Sequence, residues 1–306
     1  MKLGILVVYL VSPDNDWVLS KHLERLARTK AFMDFKVYAA VNRLPNRYRH
    51  LLHACHFVDI VALPLTAERE SAEHGKYLDM LAAHALADGC DYICTFDVDS
   101  WPIRDEWIKV TYDGLVQSGA VGAGILRSEN GDTVLPHPSF TFLKANLFQD
   151  QDCRYWVNEN DSNAEFRRFL SAHGQHADTG AALGYFLESR GLPWVKLRRT
   201  NKRDYHYLMA GIYGDVIFHL GASSRKRIVF RNDDAAWVVN MTQPLAMAPM
   251  LWRIKPMVLK LLKSTYEPSV HRRNRRAFDA IANRLRSNEE DFYRELRQDS
   301  GAGYEA

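Results

Sequence analysis

Cysteine is scarce in this sequence, and the cysteines it has form no regular framework. The 306 residues include four, at Cys55, Cys90, Cys94 and Cys153, and three of them stand in apolar surroundings. Small secreted domains instead carry closely spaced cysteines that pair as disulfides. We therefore expect reduced thiols, no disulfide framework and a cytoplasmic protein.

Long apolar runs are also missing. No uninterrupted run reaches the roughly 18 residues that a membrane-spanning helix needs. The run LGILVVYLV follows Lys2, but no small-residue cleavage site appears in the next stretch, SPDNDWVLSK. We predict that it forms a buried first strand. With 47% hydrophobic residues, the chain can bury a sizeable core.

Several signatures of catalysis and cofactor binding are absent as well. The sequence contains no glycine-rich loop that would cradle phosphates, no G-x-S-x-G nucleophile elbow and no G-x-G-x-x-G dinucleotide fingerprint. These absences argue against P-loop enzymes, α/β-hydrolases and nicotinamide-dependent enzymes.

Strand-like and helix-like stretches alternate through the first hundred residues. Continuous apolar runs predict strands, and apolar residues at helical spacing predict helices. The predicted strands are KLGILVVYLV, DFKVYAAV, FVDIVALP and DYICTF, and the predicted helices include WVLSKHLERLARTKAF and GKYLDMLAAHALADG. This alternation predicts an α/β fold, a mostly parallel doubly wound sheet with helices on both faces.

Two carboxylates directly follow one of the predicted strands, in CTFDVDSWP (residues 94–102). Ligands of such sheets bind beyond the carboxyl ends of the strands, so Asp97 and Asp99 are expected at the mouth of a site. Carboxylates at this spacing supply hard oxygen ligands for Mg²⁺ or Mn²⁺, while phosphate oxygens and water fill the other positions. The alternative is an aspartate that caps the next turn.

The longer stretch SAEHGKYLDMLAAHALADGCDYICTFDVDSWPIRDEWI resembles a segment of the GT-A-fold glycosyltransferases, broadly of the family-2 kind. In that family a helix and a strand deliver a D-x-D motif. The resemblance implies a GT-A-like domain in which Asp97 and Asp99 bind Mn²⁺ or Mg²⁺, and the cation in turn binds a nucleotide-sugar. A UDP-sugar is the expected donor, although Asn42 stands where the family often has an acidic residue that contacts the base.

Two later stretches extend the resemblance. In HADTGAALGYFLESRGLPWVKL, from His176, Asp178 matches the acidic residue that supplies the catalytic base, although Ala177 replaces the usual Glu. Its alternative role is a helix N-cap, and Glu165 or Asp161 could be the base instead.

In DVIFHLGASSRKR, the resemblance implies that His219 is a metal ligand. The basic loop after it would contact the phosphates of the bound nucleotide-sugar through Ser223, Ser224, Arg225 and Lys226. The alternative is a core histidine followed by a solvated basic turn.

Positive charge is concentrated towards the C-terminus. The net charge is +3, but the segment from Arg253 to Arg286 contains ten Lys/Arg and two Asp/Glu, which leaves −5 for the remainder. The stretch PMLWRIKPMVLKLLKSTY is amphipathic and basic, and Pro256 argues against one straight helix. Such a segment either packs on the catalytic domain or rests on an anionic membrane surface, where lipid-linked acceptors are found.

We therefore expect a GT-A-like catalytic domain over residues 1–235 and a basic helical extension over 236–306. The nucleotide-sugar half would cover about 1–105 and the acceptor half about 106–235. The expected activity is metal-dependent transfer of a sugar from a nucleoside diphosphate to an acceptor hydroxyl, with inversion. The acceptor would be a glycan or a lipid-linked molecule, the protein would reach the inner face of the membrane if the extension binds lipid, and no nucleic-acid partner is expected.

Two other functions remain open from the sequence. A sugar nucleotidyltransferase could share the sheet and the aspartates, but its basic, glycine-rich N-terminal signature is missing. A non-catalytic adaptor for a membrane or a protein partner could use a degenerate transferase fold. The intact residues Asp97, Asp99 and Asp178 argue against that adaptor.

Overall fold

The computed structural model describes residues 1–12, 15–29, 34–132, 134–157, 163–230 and 255–298. These residues divide into two units. The first contains Met1–Asn201 and Gly211–Ser224, and the second contains Lys202–Ala210 and the described residues from Arg225 onward. The domain boundary predicted near residue 235 lies outside the described residues.

Strands of the first unit form two sheets. In chain order, the strands of its described residues are β1 Lys2–Val8, β2 Asp34–Ala40, β3 Val58–Ile60, β4 Tyr92–Phe96, β5 Ser100–Pro102, β6 Gly122–Ile125, β7 His137–Lys144, β8 Trp194–Leu197, β9 Gly211–Tyr213 and β10 Ile217–His219. The larger sheet has the order β3-β2-β1-β4-β7-β6-β8, and the smaller has the order β5-β10-β9.

The larger sheet is mostly parallel. β1 pairs in parallel with β2 and β4, β2 with β3, and β6 with β8, whereas β7 runs antiparallel to both of its neighbours. The N-terminal apolar run is thus a central strand. The strands predicted in DFKVYAAV, FVDIVALP and DYICTF are confirmed as β2, β3 and β4.

Helices cover both faces of this sheet. The helices of the described residues are α1 Asp16–Ala27, α2 Asn46–His53, α3 Glu70–Ala87, α4 Trp107–Ser118, α5 Ala164–Ala172, α6 Ala181–Ser189 and α7 Lys255–Arg297. In β1, Leu3, Ile5 and Val7 pack in one core cluster with α1, α2 and α4, and Leu6 packs in another with α3 and α6. Because alternate strand residues point to opposite faces, this separation shows two covered faces. The predicted doubly wound α/β class is confirmed.

The smaller sheet connects the end of β4 to a late part of the chain. β5 pairs antiparallel with β10, with Trp101 opposite Phe218 and Ser100 opposite His219. The Trp101 and Phe218 rings lie 5.2 Å apart, and both side chains are fully buried. This packing holds β10 against the residues that directly follow Asp99.

The second unit contains the long helix α7. Pro256 lies in its first turn, where the missing N–H would have no helical partner in any case. Asn288 has non-helical backbone angles and interrupts the helix, and its side chain accepts the N–H of Asp291 at 3.2 Å. The predicted helical extension is therefore present over Lys255–Arg297. Among the described residues, no helix combines the length and apolar character needed to cross a bilayer.

Candidate active site

A tight turn brings Asp97 and Asp99 to the carboxyl end of β4. The N–H of Ser100 donates to the carbonyl of Asp97 at 2.9 Å, which closes the turn. The Ser100 hydroxyl donates to the carbonyls of Asp97 and Ser139. A buried histidine of α1 adds a further contact, since Nδ1 of His22 lies 2.9 Å from the carbonyl of Ser100. The aspartates therefore lie on a rigid turn at the predicted edge of the sheet.

His219 reaches the same place through the register of the smaller sheet. It stands opposite Ser100, so its side chain lies next to Asp99. Nε2 of His219 is 3.5 Å from Oδ1 of Asp99, and both side chains are largely buried. One ligand atom from each of Asp97, Asp99 and His219 lies within 4.8 Å of the others. The structure thus brings together the three residues proposed as metal ligands from the sequence.

The three side chains suit a hard or borderline divalent cation. Two carboxylates and one imidazole match the ligand preferences of Mn²⁺, and the carboxylates alone match those of Mg²⁺. Burial raises the pKa of Asp97, and repulsion from the Asp99 carboxylate raises it further. A cation between the two carboxylates would relieve that repulsion. The donor set and its electrostatics therefore fit the expected metal.

The ionised form of Asp99 is better stabilised than the ionised form of Asp97. Burial alone would raise its pKa, but hydrogen bonding and charge from His219, together with hydrogen bonds from Ser223, outweigh burial and hold the pKa below its usual range. The N–H of Ser223 lies 3.3 Å from Oδ2 of Asp99, and the carbonyl of Ser223 accepts the side-chain amide of Asn15 at 2.6 Å. Asp99 thus has its orientation fixed by the backbone.

The basic loop predicted to bind phosphate divides between the two units. Ser224 is exposed and directly follows Ser223 in the first unit. Arg225 and Lys226 belong to the second unit, where Arg225 donates to the carbonyl of Val229 at 3.2 Å. The phosphate contacts of Ser224, Arg225 and Lys226 stay a prediction.

Asp178 lies before α6 rather than at its N-cap. The N-cap position is Gly180, and the Asp178 carboxylate accepts the N–H of Thr179 at 2.8 Å. The side chain is exposed, and its charge contributes to the raised pKa of Asp97. An exposed carboxylate in electrostatic reach of the candidate metal ligands suits a proton acceptor, and its role as the base stays a prediction.

The alternative bases have different positions. Glu165 is exposed in the first turn of α5 and accepts the hydroxyl of Tyr185 at 3.2 Å. Asp161 lies outside the described residues. Asn42 is at the position expected to contact the nucleobase of the donor. Its side-chain amide donates to the carbonyl of Leu63 at 3.0 Å.

Sequence reasoning did not select His74, although it contacts the site. This residue of α3 places Nε2 3.4 Å from Oδ1 of Asp97. Burial lowers the pKa of His74 to about 4, while the charges of Asp178 and Asp99 act in the opposite direction. Lowering of the pKa favours the neutral imidazole of His74, which lies 3.4 Å from Asp97 and in electrostatic reach of Asp99 and Asp178. No motif in the sequence marks His74, because the start of α3 also contains other polar residues, such as Glu70 and Glu73.

A partly buried polar cluster beyond the ends of β6 and β8 was also not predicted. Nε of Arg127 lies 3.6 Å and Nη1 of Arg199 3.7 Å from Oε1 of Glu129. The hydroxyl of Tyr213 donates to the same oxygen. The charge of Arg127 opposes the effect of burial on the pKa of Asp97. Arg127 thus supplies positive charge near the carboxylates.

Among known proteins, the chain is similar in fold to several solved structures. No protein-family model matches the chain, and no curated protein sequence matches it. TarS 1-349 from S. aureus, solved in complex with UDP-GlcNAc, is similar with a TM-score of 0.40 and 14% identity over 56% of this chain and 54% of that one. This chain therefore spans about half the length of that structure.

Two further solved structures are similar at the same level. The mannosyltransferase PcManGT from Pyrobaculum calidifontis, in complex with GDP-Man and Mn²⁺, has a TM-score of 0.45 and 11% identity over 94% of this chain and 75% of that one. A CMP:2-keto-3-deoxy-manno-octonic acid synthetase complexed with CTP has a TM-score of 0.40 and 10% identity over 65% of this chain and 90% of that one. At such identity the similarity concerns the fold alone, so the function proposed below rests on the residues of this chain.

Proposed function

We propose that this protein is a metal-dependent glycosyltransferase that moves a sugar from a nucleoside-diphosphate donor to an acceptor hydroxyl. The observation that carries the proposal is the convergence of Asp97, Asp99 and His219, whose ligand atoms lie within 4.8 Å of one another. They converge beyond the carboxyl end of a central strand, which is where α/β sheets bind ligands. The sequence resemblance, which rests in part on the same residues, points to the same function.

Each of the three ligands has a distinct structural support. The Ser223 N–H orients Asp99, the turn closed by Ser100 carries Asp97, and the pairing of β10 with β5 carries His219. A divalent cation held by these side chains would neutralise negative charge on the departing nucleoside diphosphate. Because the ligands lie on rigid elements, little reorganisation is needed on binding.

Asp178 is the proposed general base. Its exposed carboxylate would accept the proton of the acceptor hydroxyl as that oxygen attacks the anomeric carbon. The bond to the diphosphate oxygen breaks as the new glycosidic bond forms. If the base lies opposite the leaving group, as we propose, this single displacement inverts the anomeric configuration. A UDP-sugar is the proposed donor, on the basis of the sequence resemblance.

Exposed arginines of the second unit support a proposed membrane contact. On α7, Arg272, Arg273 and Arg276 are exposed, and Arg275 pairs with Asp279 at 3.0 Å. Basic residues at a membrane surface each add about 1 kcal/mol of attraction to anionic lipid. We propose that this surface brings the enzyme to lipid-linked acceptors, with soluble glycans as the alternative acceptors.

A donor panel tests the proposed function. Purified protein would be incubated with Mn²⁺ and UDP-, GDP-, CMP- and dTDP-sugars, and released nucleotide would be quantified. We expect hydrolysis or transfer from at least one nucleoside-diphosphate sugar, and its loss on chelation of the metal.

A parallel assay with nucleoside triphosphates and sugar phosphates, run beside the donor panel, distinguishes the two alternatives. Release of pyrophosphate from a nucleoside triphosphate and a sugar phosphate would indicate a nucleotidyltransferase. The absence of turnover and of metal-dependent binding with every donor would leave the non-catalytic adaptor.

A further inference from the structure

His74 contacts the candidate metal site without belonging to the three-residue cluster. Its Nε2 lies 3.4 Å from Oδ1 of Asp97. Among the described residues, the group that meets the distances for a shared ion consists of Asp97, Asp99 and His219. The position of His74 thus suits a partner of a metal ligand rather than a ligand itself.

Contacts of Ser71 and Glu73 hold the first turn of α3, directly before His74. The hydroxyl of Thr179 donates to the carbonyl of Ser71 at 2.9 Å. The guanidinium of Arg43 contacts both carboxylate oxygens of Glu73, at 2.9 and 2.8 Å, in a bidentate pair. Paired contacts of this kind fix geometry as well as adding energy. The backbone that carries His74 is therefore held immediately before the histidine.

Contacts after His74 fix the same helix against the segment before α5. A Cβ at Gly75 would lie 2.6 Å from Cβ of Trp156, so α3 approaches that residue as closely as a glycine allows. The Asp79 carboxylate accepts the N–H groups of Tyr155 and Trp156 at 2.6 and 3.3 Å. These contacts leave little freedom for the helix to move His74 away from Asp97.

We propose that His74 is a positioning residue: its Nε2 lies 3.4 Å from Oδ1 of Asp97, and on cation binding its Nε2–H would donate to that oxygen and leave the other carboxylate oxygen for the metal. The inference rests on the proposed function, since it concerns the same metal site. Carboxylates that bind metals are themselves hydrogen-bonded by outer partners, and loss of such a partner lowers metal affinity about 10- to 100-fold. The side chain of His74 is 24% exposed, so it is not simply a core residue.

Mn²⁺ binding by the full chain tests this role. Binding would be measured by electron paramagnetic resonance with Mn²⁺ alone and with Mn²⁺ plus UDP or GDP. His74→Leu fills the space without a donor, His74→Ala is a second donor-free variant, and His74→Gln restores an N–H. His84→Leu is the matched control, because His84 is exposed further along the same helix.

We expect His74→Leu and His74→Ala to weaken Mn²⁺ affinity about 10- to 100-fold and His74→Gln to stay within about threefold of wild type. His84→Leu should match wild type, and thermal unfolding should show all four variants folded. Equal Mn²⁺ affinity in wild type and both donor-free variants would overturn the inference and leave the metal site standing. Equal weakening in the Gln variant would also overturn it, because packing alone would then explain the effect. Absence of Mn²⁺ binding by the wild type would overturn the metal site itself, and this inference with it.

Discussion

Nε2 of His219 lies 3.5 Å from Oδ1 of Asp99, because their neighbours pair across two short antiparallel strands. The pairing of β10 with β5 joins a strand late in the first unit to the turn that follows β4. A metal site built this way needs the smaller sheet to form. Its three-residue strands are therefore part of the candidate site, and they also contribute fully buried side chains, such as Trp101 and Phe218, to the core.

Replacing Asp178 by Asn tests its role as base. The variant keeps an oxygen that accepts the Thr179 N–H and removes the proton acceptor. Since general-base assistance contributes roughly 10²- to 10⁴-fold, we expect turnover at least a hundredfold lower with near-normal donor affinity. Steady-state kinetics at saturating donor and acceptor would measure the change.

Glu165→Gln is the control for this experiment, because Glu165 is exposed and contacts Tyr185. It should retain most of the turnover. If Asp178→Asn keeps more than about a tenth of wild-type turnover, another group is the base and the inverting assignment loses its support.

Substitution of Gly180 tests whether close packing against Pro136 fixes the segment that follows Asp178. Its φ is +93°, and an added Cβ would lie 2.5 Å from the carbonyl oxygen of Pro136. Gly191 is the matched control, since its φ is +61° and nothing lies within 4 Å of an added Cβ. We expect Gly191→Ala to lower the free energy of unfolding by about 1 kcal/mol and Gly180→Ala by distinctly more. Equal losses in urea unfolding would show that the Pro136 contact yields easily.

We expect Asp79 to make the stability of the protein depend on pH. Burial raises the pKa of Asp79 to about 7, despite the two backbone N–H groups that it accepts. The carboxyl has its ordinary pKa in the unfolded chain, so the folded state retains a proton that the unfolded state has lost. This contribution to stability is complete below about pH 4 and is lost as the pH rises to about 7, with a slope of at most about 1.4 kcal/mol per pH unit.

Asp79→Asn keeps an acceptor oxygen and removes this titration. We expect the variant to become more stable relative to wild type between about pH 4 and pH 7, as measured by chemical unfolding at several pH values. Parallel stability curves for the two proteins would show that Asp79 is not the responsible group.

Removing exposed charge from α7 tests the membrane proposal. We expect replacement of Arg272, Arg273 and Arg276 with Gln to reduce sedimentation with phosphatidylserine vesicles, because each basic residue near the surface contributes about 1 kcal/mol. The wild-type interaction should weaken as salt is added.

The control removes the same number of exposed arginines from the first unit. These are Arg104, Arg168 and Arg190. Equal loss of vesicle binding in both triple variants would indicate a general charge effect, and equal pelleting of all proteins at low salt would rule out the surface on α7.

The first four strands of the larger sheet could be predicted well from the sequence, whereas the smaller sheet could not. The apolar runs of β1, β2 and β4 stand out because both of their faces are buried. The reversed direction of β7 leaves no mark on its composition. β5, β9 and β10 have three residues each, too few to show a period. α3 begins at Glu70, whereas the sequence predicted a start at Gly75. The prediction was late because the first turn is polar and shows no apolar spacing.

The site could be predicted where a motif marks it. Asp97 and Asp99 follow a clear strand, and the resemblance added His219, which the structure brings to them. His74 and Arg127 carry no motif, since their positions depend on how α3 and the end of β6 pack. The cap alternative for Asp178 was plausible in sequence, but the structure has Gly180 at that position.

The central claim is that Asp97, Asp99 and His219 hold a cation that binds the nucleotide-sugar, and calorimetry on Asp99→Asn tests it most directly. Donor binding would be measured with and without Mn²⁺ for wild type, Asp99→Asn and the control Asp113→Asn, which alters an ion pair with Lys109 on α4. We predict Mn²⁺-dependent binding of at least one nucleotide-sugar by wild type and the control, and its loss in Asp99→Asn. Unchanged Mn²⁺-dependent binding in a folded Asp99→Asn variant would contradict the assignment of the site.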